Sequence, residues 1–449
     1  MIIVVFFVVL FAVLGLLHLY LWKRLVKDTF VSRRRRRVGG WVTVALAVMT
    51  VGTLIATRSA PISVSRWIAW PGYVWLAIMF YLFVILLVLE IPRLVLRLTW
   101  ARGGADPSAP AVSAAAGSVG VSRDDDAASS SSPASSDDPA SGVVGRDVGV
   151  DAVASPGAAG PAGTGAAAPD TDGAAPNPSR RLLLARGLAV AAGVTSVATV
   201  GYGMTQALGG PQLDRVRVPL ARLPRGMDGF RIAVVSDIHL GPLAGRAHTT
   251  RIVDAINGTD PDLIAIVGDL VDGSVEELGA AAEPLARLRA THGSFYVTGN
   301  HEYYSGYEQW IDEAAELGLR PLQNERVEID GLDLAGVNDV TGDAFAHGPD
   351  FEKTLGDRDR DKAVVLLAHQ PVVAEDAARY GVDLQLSGHT HGGQIQPFGA
   401  LVAVEQPIVS GLGTVDGTKV YVTNGAGFWG PPVRVGAPPQ VSVIELRTT

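Results

Sequence analysis

The chain has 449 residues, 48% of them hydrophobic and only 18% charged, and its mean hydropathy of +0.25 is high for a soluble enzyme of this size. The formal net charge of -8 argues against a generally basic, nucleic-acid-binding protein, so no nucleic-acid partner is expected. The cysteine count of 0 excludes disulfides, iron–sulfur clusters, thiolate zinc sites and cysteine nucleophiles. Any bound metal must therefore be held by histidine, carboxylate or amide side chains.

Residues 1–100 contain long apolar runs that predict three transmembrane helices. The first run, Ile2–Leu21, has the roughly 20 residues that a helix needs to cross a hydrocarbon core. The other two are Val38–Thr57 and Trp67–Leu89. Basic residues in the segment 23–37 follow the first run instead of preceding it, unlike a secretory signal, and this places the N-terminus outside the cytoplasm.

The next two segments predict a linker and a fourth helix. From 101 to 180 the chain is rich in Ala, Gly, Ser, Pro and Asp without a hydrophobic period, which predicts a disordered linker. The segment 181–208 predicts a membrane helix. The pair Arg180-Arg181 is typical of a twin-arginine export signal, which makes that export machinery a possible partner, and equally of a helix with a positive inner flank. Both interpretations predict a multi-pass cell-membrane protein whose C-terminal part is extracytoplasmic.

Residues 211–449 predict one α/β domain, because short β-branched apolar runs alternate with amphipathic segments. We expect strands at 231–237, 263–269, 294–298, 363–367 and 384–386, helices at 250–257 and 307–317, and a hairpin over 327–337.

Nearly every predicted strand ends in side chains that are able to bind a metal ion. These residues are Asp237, His239, Asp269, Asn300, His301, His369, His389 and His391. Ligands bind beyond the carboxyl ends of strands in open α/β sheets, so we expect these side chains to converge. The i, i+2 spacing of Asp237 with His239, and of His389 with His391, predicts that both members of each pair lie on one side of an extended backbone.

The order of these motifs resembles a known family. SDIHLG, VGDLVDG, GNHEYY, LLAHQP and SGHTHGGQI resemble the calcineurin-like metallophosphoesterase superfamily, and GNHEYY, GHTHGGQI and FWGPPVRVGAPP are similar to its membrane-associated bacterial branch. The resemblance covers roughly 212–447. It implies a two-sheet β-sandwich flanked by helices, so the expected fold is a set of N-terminal transmembrane helices followed by an α/β metallophosphoesterase domain.

The resemblance also implies a site for two divalent metal ions. One ion would be bound by Asp237, His239, Asp269 and His391, and the other by Asp269, Asn300, His369 and His389, with Asp269 bridging. His301 would remain unliganded and either protonate the leaving oxygen or stabilise the transition state. Nitrogen and oxygen donors suit Mn, Fe, Zn or Co and do not distinguish among them.

Such a site predicts the hydrolysis of phosphate mono- or diesters by attack of a metal-bridged hydroxide. Because the domain follows the fourth helix closely, we expect it to stay near the bilayer, which favours phospholipids, lipid-linked sugar phosphates or cell-envelope polymers as substrates. One alternative is a catalytically silent, metal-binding membrane sensor. Another is a helical unit that transports a solute or binds a partner. A transport path lacks support, because the three helices carry no buried acidic or basic residue apart from His18, which is expected to pack between helices.

Other polar residues have two possible roles. Asp272 and Glu302 either orient metal ligands or are a turn carboxylate and a helix-start carboxylate. Arg434 either contacts a substrate phosphate or has a structural role, and the structural role is favoured because phosphate recognition needs a particular geometry. His248 is expected to be exposed.

Overall fold

The computed structural model describes residues 2–102 and 180–449, and within them the side chains of 8–95 and 180–449. Residues 103–179, which make up most of the predicted linker, lie outside the described residues, so the disorder of that segment stays a prediction. Four helices of the described part are long and apolar enough to cross a membrane.

These helices are α1 (Ile2–Leu21), α2 (Arg33–Ser59), α3 (Ile62–Arg102) and α4 (Arg180–Leu208). A π-helical turn, Trp22–Lys27, continues α1. The helices α2 and α3 are longer than the apolar runs that predicted them. A helix extends as far as its backbone hydrogen bonds continue, and these continue beyond the hydrophobic segment. Only Ala60 and Pro61 separate them, and we call residues 57–73, around this connection, the hairpin tip.

Charged side chains join α3 to the segment that follows α1. Arg93 lies 3.1 Å from Asp28 and 3.2 Å from Glu90, and Arg24 lies 2.9 Å from Glu90. Within the described residues of the three predicted runs, His18 is the buried acidic or basic residue, as expected, but Arg93, which lies beyond the third run in the longer helix α3, is only 7% exposed. Its burial is tolerated because the carboxylates neutralise its charge. His18 packs between helices as expected and accepts a hydrogen bond from the indole of Trp75 (3.2 Å).

The C-terminal domain contains two mixed sheets, each with 6 strands. In spatial order, the first sheet is β1 (Gln212–Leu220), β12 (Gln440–Thr448), β2 (Arg231–Val235), β3 (Leu263–Val267), β4 (Ser294–Val297) and β5 (Leu319–Pro321). The second sheet is β10 (Gly411–Val415), β11 (Thr418–Val422), β9 (Leu384–Ser387), β8 (Val364–Leu367), β7 (Leu332–Gly336) and β6 (Glu325–Ile329). The pairs β12–β2, β10–β11 and β6–β7 are antiparallel, and the remaining neighbours are parallel.

The two sheets pack face to face around the largest apolar core. Alternate residues such as Val234 of β2 and Val365 of β8 meet in this core, while their neighbours pack outward against helices. Strands buried on both faces have continuous apolar sequences, which is why they were recognisable. The first sheet is covered by α5 (Arg246–Asn257), α6 (Val275–Ala282) and α8 (Tyr307–Glu316), and the second by α9 (Phe351–Leu355) and α10 (Ala374–Arg379). Two short helices, α7 (Asn300–Ser305) and α11 (Gly399–Val402), lie in the connections after β4 and β9. The two-sheet sandwich flanked by helices is confirmed.

Candidate metal centre

The predicted ligands all follow the carboxyl ends of parallel strands, in loops and turns or, for Asn300, at the first residue of α7. Their backbone is not the extended one expected from the i, i+2 spacing. The φ angles are 52° at Asp237, 48° at His239, 70° at His389 and 52° at His391, in the left-handed region that residues other than glycine seldom adopt. Such conformations cost on the order of 1–3 kcal/mol each and are concentrated at functional sites. The backbone of these loops therefore adopts unfavourable conformations that position the side chains of the predicted ligands.

The first group of donors consists of Asp237, His239 and His391. One donor atom from each lies within 4.8 Å of the others. The Nε2 atoms of His239 and His391 are 2.9 Å apart, and Nε2 of His391 is 3.3 Å from Oδ1 of Asp237. Residues separated by more than a hundred positions along the chain thus meet beside the loop that follows β2.

The second group consists of Asp269, His369 and His389, whose donor atoms also lie within 4.8 Å of one another. Nε2 of His369 is 3.2 Å from Oδ2 of Asp269. The amide oxygen of Asn300 belongs with this group, at 3.1 Å from Nε2 of His369 and 3.0 Å from Nδ1 of His389. We refer to both groups together, with Asn300, as the metal centre.

Asp269 is the carboxylate that lies next to both groups. Its Oδ2 atom is 3.2 Å from Nε2 of His369 in its own group and 3.7 Å from Nε2 of His239 in the other. A ligand shared between two ions needs this position. The geometry is thus compatible with the bridging role that the resemblance implies, which stays a prediction.

The burial and charge of these residues fit a cation. Asp237 is 0% and Asp269 2% exposed, and in the described part of the chain their ion-pair partners are histidines, with no lysine or arginine among them. Buried carboxylates without a cationic partner are strongly disfavoured. The neighbouring donors are nitrogen and oxygen atoms without sulfur, a set that suits Mn, Fe, Zn or Co.

Two further carboxylates orient the ligands. Nδ1 of His239 donates to Oδ1 of Asp272 (3.0 Å), which directs Nε2 of the ring toward the metal centre. Glu302 accepts hydrogen bonds from the backbone N–H groups of Asp269 (3.0 Å), Leu270 (2.6 Å) and Gly299 (2.6 Å). Asp272 therefore has the orienting role, whereas Glu302 has both roles, because its bond to Gly299 caps the start of α7 and its other bonds hold the backbone at Asp269 and Leu270.

Arg434 has the structural role that the sequence favoured. Its side chain is 0% exposed and donates to the carbonyl oxygens of Gly427 (2.9 Å) and His391 (2.8 Å). Since its donors are used inside the protein, Arg434 supports the loop that carries His391 instead of facing a substrate. The expectation that His248 is exposed is wrong. Its side chain is buried, with 5% exposed, because it lies on the face of α5 that packs on the first sheet.

His301 lies beside the metal centre and shares Asp272 with His239. Its Nδ1 atom is 2.5 Å from Oδ1 of Asp272, and its backbone N–H donates to Asp269 (2.8 Å). Burial lowers the pKa of His301, but the charges of Asp269 and Asp272 outweigh this effect and raise the pKa to about 9. Burial raises the pKa of Asp272, but the two imidazoles outweigh it and hold that pKa below its usual range.

A cavity of about 280 Å³ lies next to His239, His301 and Asp272. Its other walls come partly from the domain and partly from the hairpin tip; the residues include Tyr304, Phe428, Trp429, Thr57, Arg58, Ile62 and Tyr73. No role was predicted from the sequence for the segment 58–66 between the second and third helices, so its contribution to the cavity was missed. One signal was present, because Arg58 is a cation at a helix end that the topology prediction places outside, where arginine is unusual.

The fold and the site define a metal-binding α/β domain attached to apolar helices. The family model described as calcineurin-like phosphoesterase matches residues 230–393. The chain is 38% identical to "Transmembrane protein with metallophosphoesterase domain" of Danio rerio, a match that covers 57% of this chain and 61% of that protein.

Bacterial relatives are matched over more of their length. The chain is 38% identical to an "Uncharacterized metallophosphoesterase" of Helicobacter pylori, covering 56% of this chain and 68% of the relative. For a protein of the same description from Aquifex aeolicus the identity is 34%, over 53% of this chain and 92% of the relative. The chain belongs to the calcineurin-like metallophosphoesterase family. It is also membrane-associated, as its four apolar helices and the transmembrane relatives indicate.

Proposed function

We propose that this protein is a metal-dependent phosphoesterase that hydrolyses phosphate mono- or diesters. The observation that carries the proposal is the pair of adjoining donor groups with Asp269 next to both. Two divalent cations, when bound there, would attract an anionic ester and lower the pKa of a coordinated water so that it attacks phosphorus near neutral pH.

The residues divide the work of this reaction. Asp237, His239 and His391 would hold one cation, Asn300, His369 and His389 the other, and Asp269 both. Asp272 fixes the imidazole rings of His239 and His301 through their Nδ1 atoms. His301 also lines the cavity, so it is placed to donate a proton to the leaving oxygen of an ester bound there.

The proposed substrates are phosphate esters of lipids, either phospholipids or lipid-linked sugar phosphates, with cell-envelope polymers as a further possibility. The hairpin tip of two apolar helices forms part of the cavity wall. A volume of about 280 Å³ is at the small end for ligand pockets, which are typically about 300–1,000 Å³. It suits a phosphate headgroup whose acyl chains remain in the bilayer.

We further propose that the helices are multi-pass spans of the cell membrane and that the domain is extracytoplasmic, as the distribution of arginine favours. Protease added to intact cells is then expected to digest the C-terminal domain, and complete protection would place the domain in the cytoplasm. Export by the twin-arginine machinery is tested by the double change Arg180→Lys and Arg181→Lys. Unchanged protease accessibility in that variant would contradict this route.

The activity is tested on the full chain in detergent with added Mn²⁺. We expect hydrolysis of bis-p-nitrophenyl phosphate, and the physiological class is then found with a panel of phospholipids, lipid-linked phosphates and soluble diesters. The panel is expected to favour the lipid esters. A folded, metal-loaded protein without any turnover would contradict the proposal and favour a silent metal-binding sensor.

A further inference from the structure

The hairpin tip is held against the catalytic domain by specific contacts. The backbone N–H of Ile62 donates to Oε1 of Glu277 at the start of α6 (3.1 Å). The side chain of Ile62 packs against the apolar cluster between the first sheet and its helices. Within the tip, the hydroxyl groups of Thr57 and Tyr73 are 2.9 Å apart and join α2 to α3. The hairpin tip is thus a fixed part of the cavity wall, in addition to the role of the helices in anchoring the domain.

Arg58 is the cationic residue of this wall. It is exposed, it lines the cavity that also contains His239 and His301, and it has no ion-pair partner among the described residues. Of the acidic neighbours in the cavity, Asp272 accepts from the two imidazoles and Glu277 accepts from the backbone N–H of Ile62, and neither forms an ion pair with Arg58 in the described structure. An unpaired guanidinium beside a metal centre is suited to an anion.

We propose that Arg58 is a substrate-binding residue whose guanidinium pairs with a phosphate oxygen of the ester in the cavity. Arginine is the side chain best adapted to phosphate oxygens, which it binds with charge-assisted and often bidentate hydrogen bonds. The inference rests on the proposed function, and it makes the membrane helices part of the active site. A lipid headgroup and a soluble phosphate ester share this chemistry, and the experiment below separates them.

Arg66 provides a matched control within the hairpin tip. It is an exposed arginine near the start of α3, but its guanidinium lies over the ring of Trp67 (5.1 Å to the centroid) and it does not line the cavity. A general effect of positive charge at the membrane surface would be lost equally in Arg58→Gln and Arg66→Gln. Only a direct contact with the substrate makes the two variants differ.

The test uses the full chain in phosphatidylcholine nanodiscs with Mn²⁺, and calorimetry with inorganic phosphate. We expect Arg58→Gln to weaken phosphate binding about tenfold, the scale of one charge-assisted hydrogen bond, while Arg66→Gln stays within about twofold of wild type. Arg58→Lys should be intermediate, because lysine keeps the charge but loses the planar fork. Should Arg58→Gln lose metal or fail to fold, Arg58→Lys decides the question.

Hydrolysis assays identify the source of the phosphate. A KM raised about tenfold in Arg58→Gln for both bis-p-nitrophenyl phosphate and phosphatidylglycerol would show contact with the shared phosphate group, whereas a rise for the lipid alone would show contact with the headgroup of a membrane-embedded ester. If Arg58→Gln has the same phosphate affinity and the same two KM values as Arg66→Gln, the proposal is overturned. A wild-type chain that binds phosphate but hydrolyses neither ester would contradict the proposed function. In that case the phosphate affinities of the variants would still test whether Arg58 binds phosphate.

Discussion

Arg434 donates from Nη1 to the carbonyl oxygen of His391 (2.8 Å), and its Nη2 lies 3.1 Å from Nδ1 of the same residue. The backbone N–H of Arg434 in turn donates to the carbonyl oxygen of Gly203 on α4 (2.9 Å). One predicted metal ligand is therefore held by an arginine that is itself attached to the fourth apolar helix. Arg434 therefore links the position of α4 to the geometry of the metal centre.

Replacement of Arg434 tests whether this arginine supports the metal centre. Arg434→Met keeps much of the side-chain volume but removes the hydrogen bonds to His391, and we expect metal affinity to fall by about 10- to 100-fold, as for other residues that orient ligands. Metal content after dialysis against graded chelator measures the change. Arg447→Met, at a half-exposed arginine paired with Asp228 (3.4 Å), is the control and should retain wild-type affinity. Equal metal content in both variants would show that Arg434 does not support the site.

Asp269→Asn tests the shared carboxylate. The substitution preserves shape but removes the charge next to both donor groups, so we expect loss of metal from the whole centre and abolished hydrolysis. Elemental analysis and the diester assay are the measurements. Asp330→Asn, at an exposed turn position between β6 and β7, should behave as wild type. Retention of half the metal in Asp269→Asn would mean that Asp269 serves only one group.

His301→Ala separates proton transfer from metal binding. We expect turnover to fall by about 10²–10⁴-fold, the usual contribution of a general acid, while metal content stays near wild type. The physical reason is that Nδ1 of His301 is bound to Asp272, which leaves the ring beside the centre and facing the cavity. If metal is lost in this variant, His301 is a ligand and its assignment as the acid is wrong.

The seating of the hairpin tip is tested by crosslinking, which is simple because the chain has 0 cysteines. A Cβ atom at Gly273 would lie 3.7 Å from Cδ1 of Ile62, so the pair Ile62→Cys and Gly273→Cys should react efficiently with a short bifunctional thiol reagent. In the control, Arg37→Cys replaces the change at Ile62. Arg37 lies near the other end of α2, about 30 Å along the helix from Arg58, and should give no crosslink. Equal yields in both pairs would mean that the tip does not rest on the domain.

Acid stability should depend on His248. Burial, together with the charges of Arg251 and Arg434, lowers the pKa of His248 to about 4, and its Nε2 atom has no hydrogen-bond partner in the described structure. The unfolded chain therefore binds the extra proton below about pH 6.5, and the folded chain only near pH 4, so stability falls as the pH drops through this window. Each pH unit costs up to about 1.4 kcal/mol.

The measurement is the thermal unfolding midpoint of metal-free protein between pH 7 and pH 5. Replacing His248 with leucine removes the titrating group, so the midpoint of this variant should decrease less with acid than that of wild type. Metal-free protein is used because protonation of the ligand histidines would otherwise release metal and add to the effect. Parallel decreases in both proteins would show that His248 does not carry the acid sensitivity.

Much of the fold was readable from local sequence. The buried strands β2, β3 and β8 are continuous apolar runs, and the turn at Asp330-Gly331 predicted the antiparallel pair β6–β7. The strands β1, β5 and β10 were not predicted, because their residues are partly exposed and do not form a continuous apolar run. The strands β11 and β12 were also missed, although most of their residues are buried. The position of β12 between β1 and β2 depends on pairing between opposite ends of the domain, which no local pattern encodes.

The sequence by itself determined the chemistry of the site: without cysteine, and with carboxylates and imidazoles at successive strand ends, the donors had to be nitrogen and oxygen atoms at one edge of a sheet. Tertiary structure alone decided that Asp269 lies between the groups, that Arg434 holds His391, and that the hairpin tip brings Arg58 to the cavity. Such contacts join residues far apart in the chain. They depend on how sheets, loops and helices pack, whereas a local pattern reports only the burial and backbone of its own segment.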